Sequence, residues 1–404
     1  MKALLVTNTL YPYLNANSEI AYKLAAVLRK NYGCSVTVLG YSNIPRASTD
    51  NPYDVEDYEM REIGIARSIM ARHESRLLKI LRLAIHPNAV KYLLQPEQDP
   101  LYRLKSKYRR AIQHLCENRE FDCIVCFKNP NDTIAAAIEA DVPIPIIAYE
   151  LDPWEAGSNQ SEKELHEQQY NLEKECSAVI TTKLLYPKYL MEKCGIPIDR
   201  VFQAEFPNIS RPALSKSLSF QDGRIHCVFA GQLYGDIRNP RYAIDLFSHL
   251  TDDGIVLDIF GNDNGCLRGG KLPENVIYHG EVQSDDALAY LCAADVVVNI
   301  GNTLMNQMPS KIFTCISTGK PILNVVKSEE CPTLRYTRQY PYVLNLVESV
   351  FVPNDVVCKT IKFCRNSCGK HVDFEMIEKM YHEATPEFVG GILYEVLNKC
   401  TDKV

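Results

Sequence analysis

The chain has 404 residues, enough for two domains of roughly 200 residues each. Hydrophobic residues make up 46% and charged residues 23%, which excludes a disordered or collagen-like chain. Lys and Arg number 44 against 50 Asp and Glu, a formal charge of −6, which argues against a whole-chain nucleic-acid binder.

The 15 cysteines are odd in number and scattered, and Cys123, Cys126, Cys227, Cys292 and Cys315 sit in apolar runs, as small core residues do. That usage points to a reducing compartment. Only a short apolar stretch follows Met1-Lys2, too short for a signal-peptide core, and no run reaches the ~18 apolar residues of a membrane span. The expectation is a cytoplasmic protein.

In chain order, Ala3–Thr7 is a buried-strand run. Asn17–Tyr32 carries Ile20, Leu24, Val27 and Leu28 at helical spacing and stops before Gly33. Ser35–Leu39, Cys123–Phe127, Ile144–Tyr149 and Ala178–Thr181 are further strands, with helices over Asp132–Ala140 and Glu162–Cys176. Pro207–Gly223 is rich in Pro and Ser, lacks periodicity and reads as a linker. The alternation then restarts. Strands are expected at Ile225–Ala230, Val256–Phe260, Val276–Tyr278, Val296–Ile300 and Ile322–Val326, and helices at Arg241–Leu250, Asp285–Ala293 and Ser310–Thr318. Phe374–Lys399 is helical in character, with Pro386 and Gly390-Gly391 expected to break or bend it. Continuous apolar strands alternating with helices argue parallel sheets covered on both faces. The predicted layout is an α/β domain over 1–206, a linker over 207–223, a second α/β domain over 224–373 and a helical tail over 374–404.

One block departs from the average charge. Residues 61–110 hold twelve basic and four acidic side chains, so the rest of the chain carries −14. Within Ile65–Ile85, Ile65, Ile69, Leu77, Ile80 and Ala84 follow one face, and Arg72, Arg76 and Lys79 another. Such a helix either packs its apolar face on the domain or lies on an anionic membrane surface.

The segment Asp295–Leu323 carries the most chemistry. A strand ends near Ile300, the polar loop Gly301–Met308 follows, and Pro309, Ser310 and Lys311 open a helix. Pro suits the first helical position, and a helix start offers free N–H groups and a positive dipole end to a phosphate. Lys311 adds charge; an ordinary strand–loop–helix unit is the alternative. A second loop, Gly231–Asp236, follows the domain's first strand, with Gly231 and Gly235 permitting close backbone approach and Arg238 placed to meet a phosphate oxygen. Turn-making is the alternative there. Neither a P-loop nor a dinucleotide glycine motif occurs. Two further loops begin at Phe260-Gly261-Asn262 and His279-Gly280-Glu281-Val282. Ligands of parallel α/β domains bind beyond the carboxyl ends of the strands, where these four loops are expected to meet.

The succession G-x-L, F-G, H-G-x-V, A-D-V-x-V and P-S-K-I-F-x-x-x-S-T-G-K-P-I over Ile225–Val326 resembles the retaining GT-B glycosyltransferases of family 4. The resemblance implies two Rossmann-like domains facing across a cleft, with a nucleotide-sugar donor on the second and a glycan or lipid-linked acceptor on the first. It implies that the C-terminal helix crosses back to the first domain. A UDP-sugar is the favoured substrate, with no resident cofactor and no metal. Carried over by position, Gly231, Gln232 and Leu233 approach the diphosphate, and Asn262, Glu281 and Val282 frame the base. The helix start Gln307, Met308, Pro309 and Ser310 supplies donors, and Arg238 and Lys311 stabilise the leaving group. Two positions where many members carry Glu hold Asn306, which can bond a sugar hydroxyl, and Thr314, which is short for a ribose. These replacements motivate the alternative of a catalytically weak glycan-binding or partner subunit. A sugar-nucleotide epimerase is a third option. The glycine pair usual after the first strand is absent.

On the acceptor side, Glu150, Asp152 and Trp154 follow an apolar strand run: carboxylates accept from sugar hydroxyls, Trp stacks on a sugar face, and Asp152 is a catalytic candidate. A turn capped by Asp152 with a half-buried Trp154 is the alternative. Tyr11, Tyr13, Asn15 and Asn17 on the first loop border the same cleft, and Lys128 and Asn129, at the end of the Cys123–Phe127 strand, are a third group. Cys358, Cys364, Cys368 and His371 lie close in sequence but match no common zinc spacing, and Cys123 and Cys126 fall on opposite faces of one strand.

Overall fold

The computed structural model describes residues 1–11, 14–41, 51–60, 104–128, 132–154, 162–191, 195–214, 216–267 and 271–402. The chain divides into two compact units, Met1–Pro207 with Pro386–Val404, and Asn208–Thr385.

The first unit is a parallel sheet flanked by helices. Its elements are β1 (Lys2–Thr9), α1 (Ala16–Tyr32), β2 (Ser35–Tyr41), β3 (Glu56–Met60), α2 (Leu104–Asn118), β4 (Cys123–Phe127), α3 (Asp132–Glu139), β5 (Ile146–Glu150), α4 (Glu162–Glu173), β6 (Ala178–Thr181), α5 (Tyr186–Met191) and β7 (Val201–Gln203). The strand order is β3-β2-β1-β4-β5-β6-β7. Leu4, Leu5 and Val6, and all of β4, are buried, which is why these strands are apolar on both faces. Helix α1 opens with Asn15 as N-cap, its Oδ1 accepting the Ser18 N–H at 2.9 Å, and closes at Gly33, whose φ of +66° returns the Gly33 and Cys34 amides to the last turn.

The second unit repeats the plan. It contains β8 (Ile225–Ala230), α6 (Arg241–Ser248), β9 (Ile255–Phe260), β10 (Val276–Gly280), α7 (Ser284–Ala293), β11 (Val296–Ile300), α8 (Lys311–Ser317), β12 (Ile322–Val326), α9 (Leu334–Thr337), β13 (Val343–Val347), α10 (Asn354–Ser367) and α11 (Phe374–Met380). Its six strands run β10-β9-β8-β11-β12-β13, again all parallel. These are two Rossmann-like parallel-sheet units, the fold class the alternation predicts.

The tail differs from expectation. Phe374–Lys399 is not one bent helix: α11 stays in the second unit, and α12 (Pro386–Thr401) belongs to the first. Pro386 starts α12 rather than breaking it, because the first helical position needs no N–H. Gly390 and Gly391 are helical because α12 packs on α1. A Cβ at Gly390 would stand 2.4 Å from Val27 Cγ1, and one at Gly391 3.0 Å from the Tyr32 hydroxyl. Tyr394 stacks on Tyr32 in the same contact, with ring centroids 4.1 Å apart. The predicted basic amphipathic helix over Ile65–Ile85 lies outside the described residues. The last residues of the basic block begin α2, which buries Tyr108, Ile112 and Leu115.

Candidate functional site

In the second sheet the chain reverses its direction of travel between β8 and β11, the topological switch point beyond whose carboxyl ends parallel α/β sheets bind their ligands. Hydrogen bonds tie the two loops together. The Thr303 N–H donates to the Ile237 carbonyl at 2.8 Å and its hydroxyl to the Asp236 carbonyl at 3.0 Å. Tyr234 and Arg238 pair backbone to backbone in a tight turn that sets Arg238. The Arg238 guanidinium then donates through Nε to Asn302 Oδ1 at 3.0 Å and through one terminal nitrogen to the Gln232 carbonyl at 3.3 Å. It is a half-buried cation, and burial draws its pKa down from the ordinary arginine value.

Backbone proximity also joins the β8 and β9 loops. Gly231 N–H donates to the Phe260 carbonyl, Leu233 N–H to the Asn262 carbonyl, and Asn264 Nδ2 to the Leu233 carbonyl at 2.8 Å. Gly261 has a φ of +125°, and its N–H reaches the Gly280 carbonyl at 2.7 Å, adding the β10 loop. The four loops singled out in the sequence therefore form one bonded cluster.

At the start of α8, Ser310 has helical backbone angles and makes no side-chain cap, while the Pro309 and Ser310 carbonyls accept the Ile312 and Phe313 N–H groups. The Ser310 and Lys311 amides donate to no backbone carbonyl of the described residues. Lys311 is exposed, and Lys311 and Arg238 both act electrostatically on the buried Cys315 thiol, which burial nonetheless pushes up to about 12. Asn306, Gln307 and Thr314 are half-buried, Met308 and Pro309 are buried, and Gln232 and Glu281 are exposed, with Val282 between. Asn262 turns its side chain back to cap the Asn264 N–H at 2.9 Å.

Sequence reasoning missed Asn302, which is 3% exposed and orients Arg238. It also missed Lys327 and Glu348, an ion pair at 2.6 Å joined to the Asn239 carbonyl. Arg238 and Asn302 are 64 positions apart, and nothing in either local segment marks the pairing.

The acceptor-side candidates of the first unit come together differently than expected. Trp154 is 3% exposed, its indole N–H donates to Glu150 Oε2 at 3.0 Å, and Lys128 Nζ lies 5.7 Å from its ring centroid. Lys128 also donates to the Asp152 and Pro153 carbonyls, at 3.1 and 2.6 Å. Glu150, Lys128 and Trp154 thus form a buried structural knot in which Trp154 has no open face for a sugar to stack on. Asp152 keeps partial exposure at the end of β5. Asn15 is the extended N-cap of α1, its side chain spent on the Ser18 N–H, and Asn17 is buried in the first turn of α1. Tyr11 is half-buried edge-on to Tyr53; Tyr13 and Asn129 lie outside the described residues.

Cys364 points into the core, its sulfur 3.8 Å from that of Cys227, while Cys358 and Cys368 are exposed. Among the described residues no cluster of His, Cys, Asp and Glu has metal-binding geometry, and no helix is long and apolar enough to cross a membrane.

No protein-family model and no curated protein matches the sequence. Solved structures match over the full length. Sucrose-phosphate synthase from Thermosynechococcus elongatus is similar with a TM-score of 0.67 and 10% identity, covering 100% of each chain. A glycosyltransferase from Rickettsia africae gives 0.61 and 8%, over 100% of this chain and 99% of that one. Anabaena HepE in complex with UDP and glucose gives 0.60 and 12%, over 99% and 100%. At such identities the likeness is one of fold: the paired Rossmann-like units are those of GT-B glycosyltransferases.

Proposed function

We propose that this protein is a glycosyltransferase whose second unit binds a nucleotide-sugar. The carrying observation is Arg238, a guanidinium fixed by Asn302 at the switch point between β8 and β11. When the glycosidic bond of the donor breaks, negative charge builds on the departing diphosphate. Arg238, the unused Ser310 and Lys311 amides and the Lys311 ammonium supply compensating charge and donors. On this reading the reaction needs no metal and retains the anomeric configuration. The acceptor is a glycan or lipid-linked saccharide of cell-surface synthesis, with Asp152 at the acceptor side. The fold likeness to a protein solved with UDP and UDP-glucose favours a uridine donor. The basic block 61–110 serves as a docking surface for an anionic membrane at the cytoplasmic face.

The test is a thermal-shift screen against UDP-, GDP- and CMP-sugars, followed by turnover with the stabilising donor in the presence of chelator. Selective stabilisation by UDP-sugars and chelator-resistant transfer are expected. Donor binding without transfer or hydrolysis over a broad acceptor panel would favour the weak-subunit reading, which Asn306 and Thr314 motivate.

A further inference from the structure

Beneath the loop that leaves β5, two carboxyl groups share one buried space. Glu150 ends β5 and is 1% exposed; Glu173 ends α4 and is fully buried. Each has one oxygen engaged by donors. Glu150 Oε2 accepts the Trp154 indole N–H, and Glu173 Oε1 accepts Gln169 Nε2 at 2.9 Å and the Tyr189 hydroxyl at 3.0 Å. The remaining oxygens, Glu150 Oε1 and Glu173 Oε2, meet no donor, although the two side chains lie within hydrogen-bonding reach of each other. Two carboxylates that close in a dry site cannot both ionise, and a buried oxygen without a partner is costly. One proton between them answers both problems.

We propose that Glu150 and Glu173 hold a single proton in common, Glu173 as the acid and Glu150 as the carboxylate, and that this proton is a pH-sensitive clamp on the loop Leu151–Trp154. The surroundings set the asymmetry. Burial raises the Glu150 carboxyl as well, but Lys128, from the end of β4, and Lys188, on α5, pull against that rise and favour its negative charge. Glu173 faces the neutral Gln169 and Tyr189, and burial pushes its carboxyl well above the ordinary value. Tyr189 and Cys176, which pack here with Tyr170 and Cys126, are raised well above their own ordinary values and stay neutral. Thr181 completes the site as the β6 register partner of Glu150.

Glu150 reaches the loop through the Trp154 indole, and Lys128 reaches it through the Asp152 and Pro153 carbonyls. Removing the proton puts a second negative charge into this knot. Lys128 is drawn toward it and away from the carbonyls, and the loop loosens.

Trp154 is the only tryptophan of the chain, so its emission reports the clamp directly. In the full-length protein, raising the pH from the acid side of neutrality into the alkaline range is expected to shift Trp154 emission to longer wavelength. Glu173→Gln replaces the acid by an amide that donates to Glu150 at every pH, so its emission should stay flat. The wild-type protein is also expected to show, at neutral pH, the infrared carbonyl band of a protonated carboxylic acid, lost on alkaline titration in step with the Trp154 shift. A wild-type chain without that band, or a Glu173→Gln variant with the wild-type emission profile, would overturn the proposal. The infrared measurement decides alone if the variant does not fold.

Discussion

A Cβ at Gly261 would stand 2.0 Å from the carbonyl oxygen of Gly231, closer than any side chain tolerates. The two loops at the carboxyl ends of β8 and β9 therefore touch backbone to backbone. Gly261→Ala also forces alanine into a φ of +125°. The variant is expected to lose at least about 1–3 kcal/mol of stability and to lose nucleotide-dependent stabilisation with it. Thermal unfolding with and without a UDP-sugar checks both.

Arg238→Ala removes a preorganised cation at the switch point and should lower turnover by about 10²- to 10³-fold, with a smaller loss of donor affinity. Arg238→Lys should not restore it, because a lysine cannot hold Asn302 and the Gln232 carbonyl with one planar fork and still present a donor. Asn302→Ala should give an intermediate loss. Steady-state kinetics on the three variants separates these outcomes; full activity in Arg238→Ala would remove the assignment.

Gly390→Ala should destabilise the first unit by about 1–3 kcal/mol, since its Cβ would overlap Val27 on α1. Adding Val27→Ala makes room and should recover much of the loss, a coupling that urea denaturation of the single and double variants measures.

Two carboxyl systems give the pH–stability curve opposite slopes. Burial beside Glu150 holds Glu173 well above 4.5, so the native state keeps a proton that the unfolded chain releases. Its contribution is full below about pH 4.5 and is lost as pH rises toward the folded value. Hydrogen bonds from His226 and Arg224 hold Asp222 well below 3.8, so its contribution is full above about pH 3.8 and is lost as pH falls further. Glu173→Gln should flatten the rising-pH loss and Asp222→Asn should soften the acid limb, as read from unfolding midpoints across pH.

The basic block is tested by sedimentation with anionic vesicles. Binding that weakens with salt and falls on replacing Arg72, Arg76 and Lys79 by Glu is expected, with no binding to neutral vesicles. Equal binding by the charge-reversed variant would exclude the docking role.

Strands that are apolar throughout, such as β4, were legible in the sequence because burial on both faces leaves one composition available. The edge strand β3 was not, since Glu56, Asp57 and Glu59 face solvent or polar neighbours and leave no apolar pattern. Of the other edges, β7 and β13 are short or only half-buried and went unseen, whereas β10 carries the apolar run Val276–Tyr278 and was expected. The glycines of the loops after β8 and β9 were legible because close backbone approach demands that residue. The roles of Glu150, Lys128 and Trp154 were not, because side chains that suit sugar recognition also suit a buried hydrogen-bonded knot. Only tertiary position distinguishes the two.

The second unit begins and ends beside itself: the Ile209 N–H donates to the Ala384 carbonyl at 2.9 Å, so the chain enters and leaves it as a paired stem. Topologically it is an insertion in the first unit, closed at its base. A tension applied between β1 and α12 would load the first unit, which holds both elements, before it reached the inserted residues.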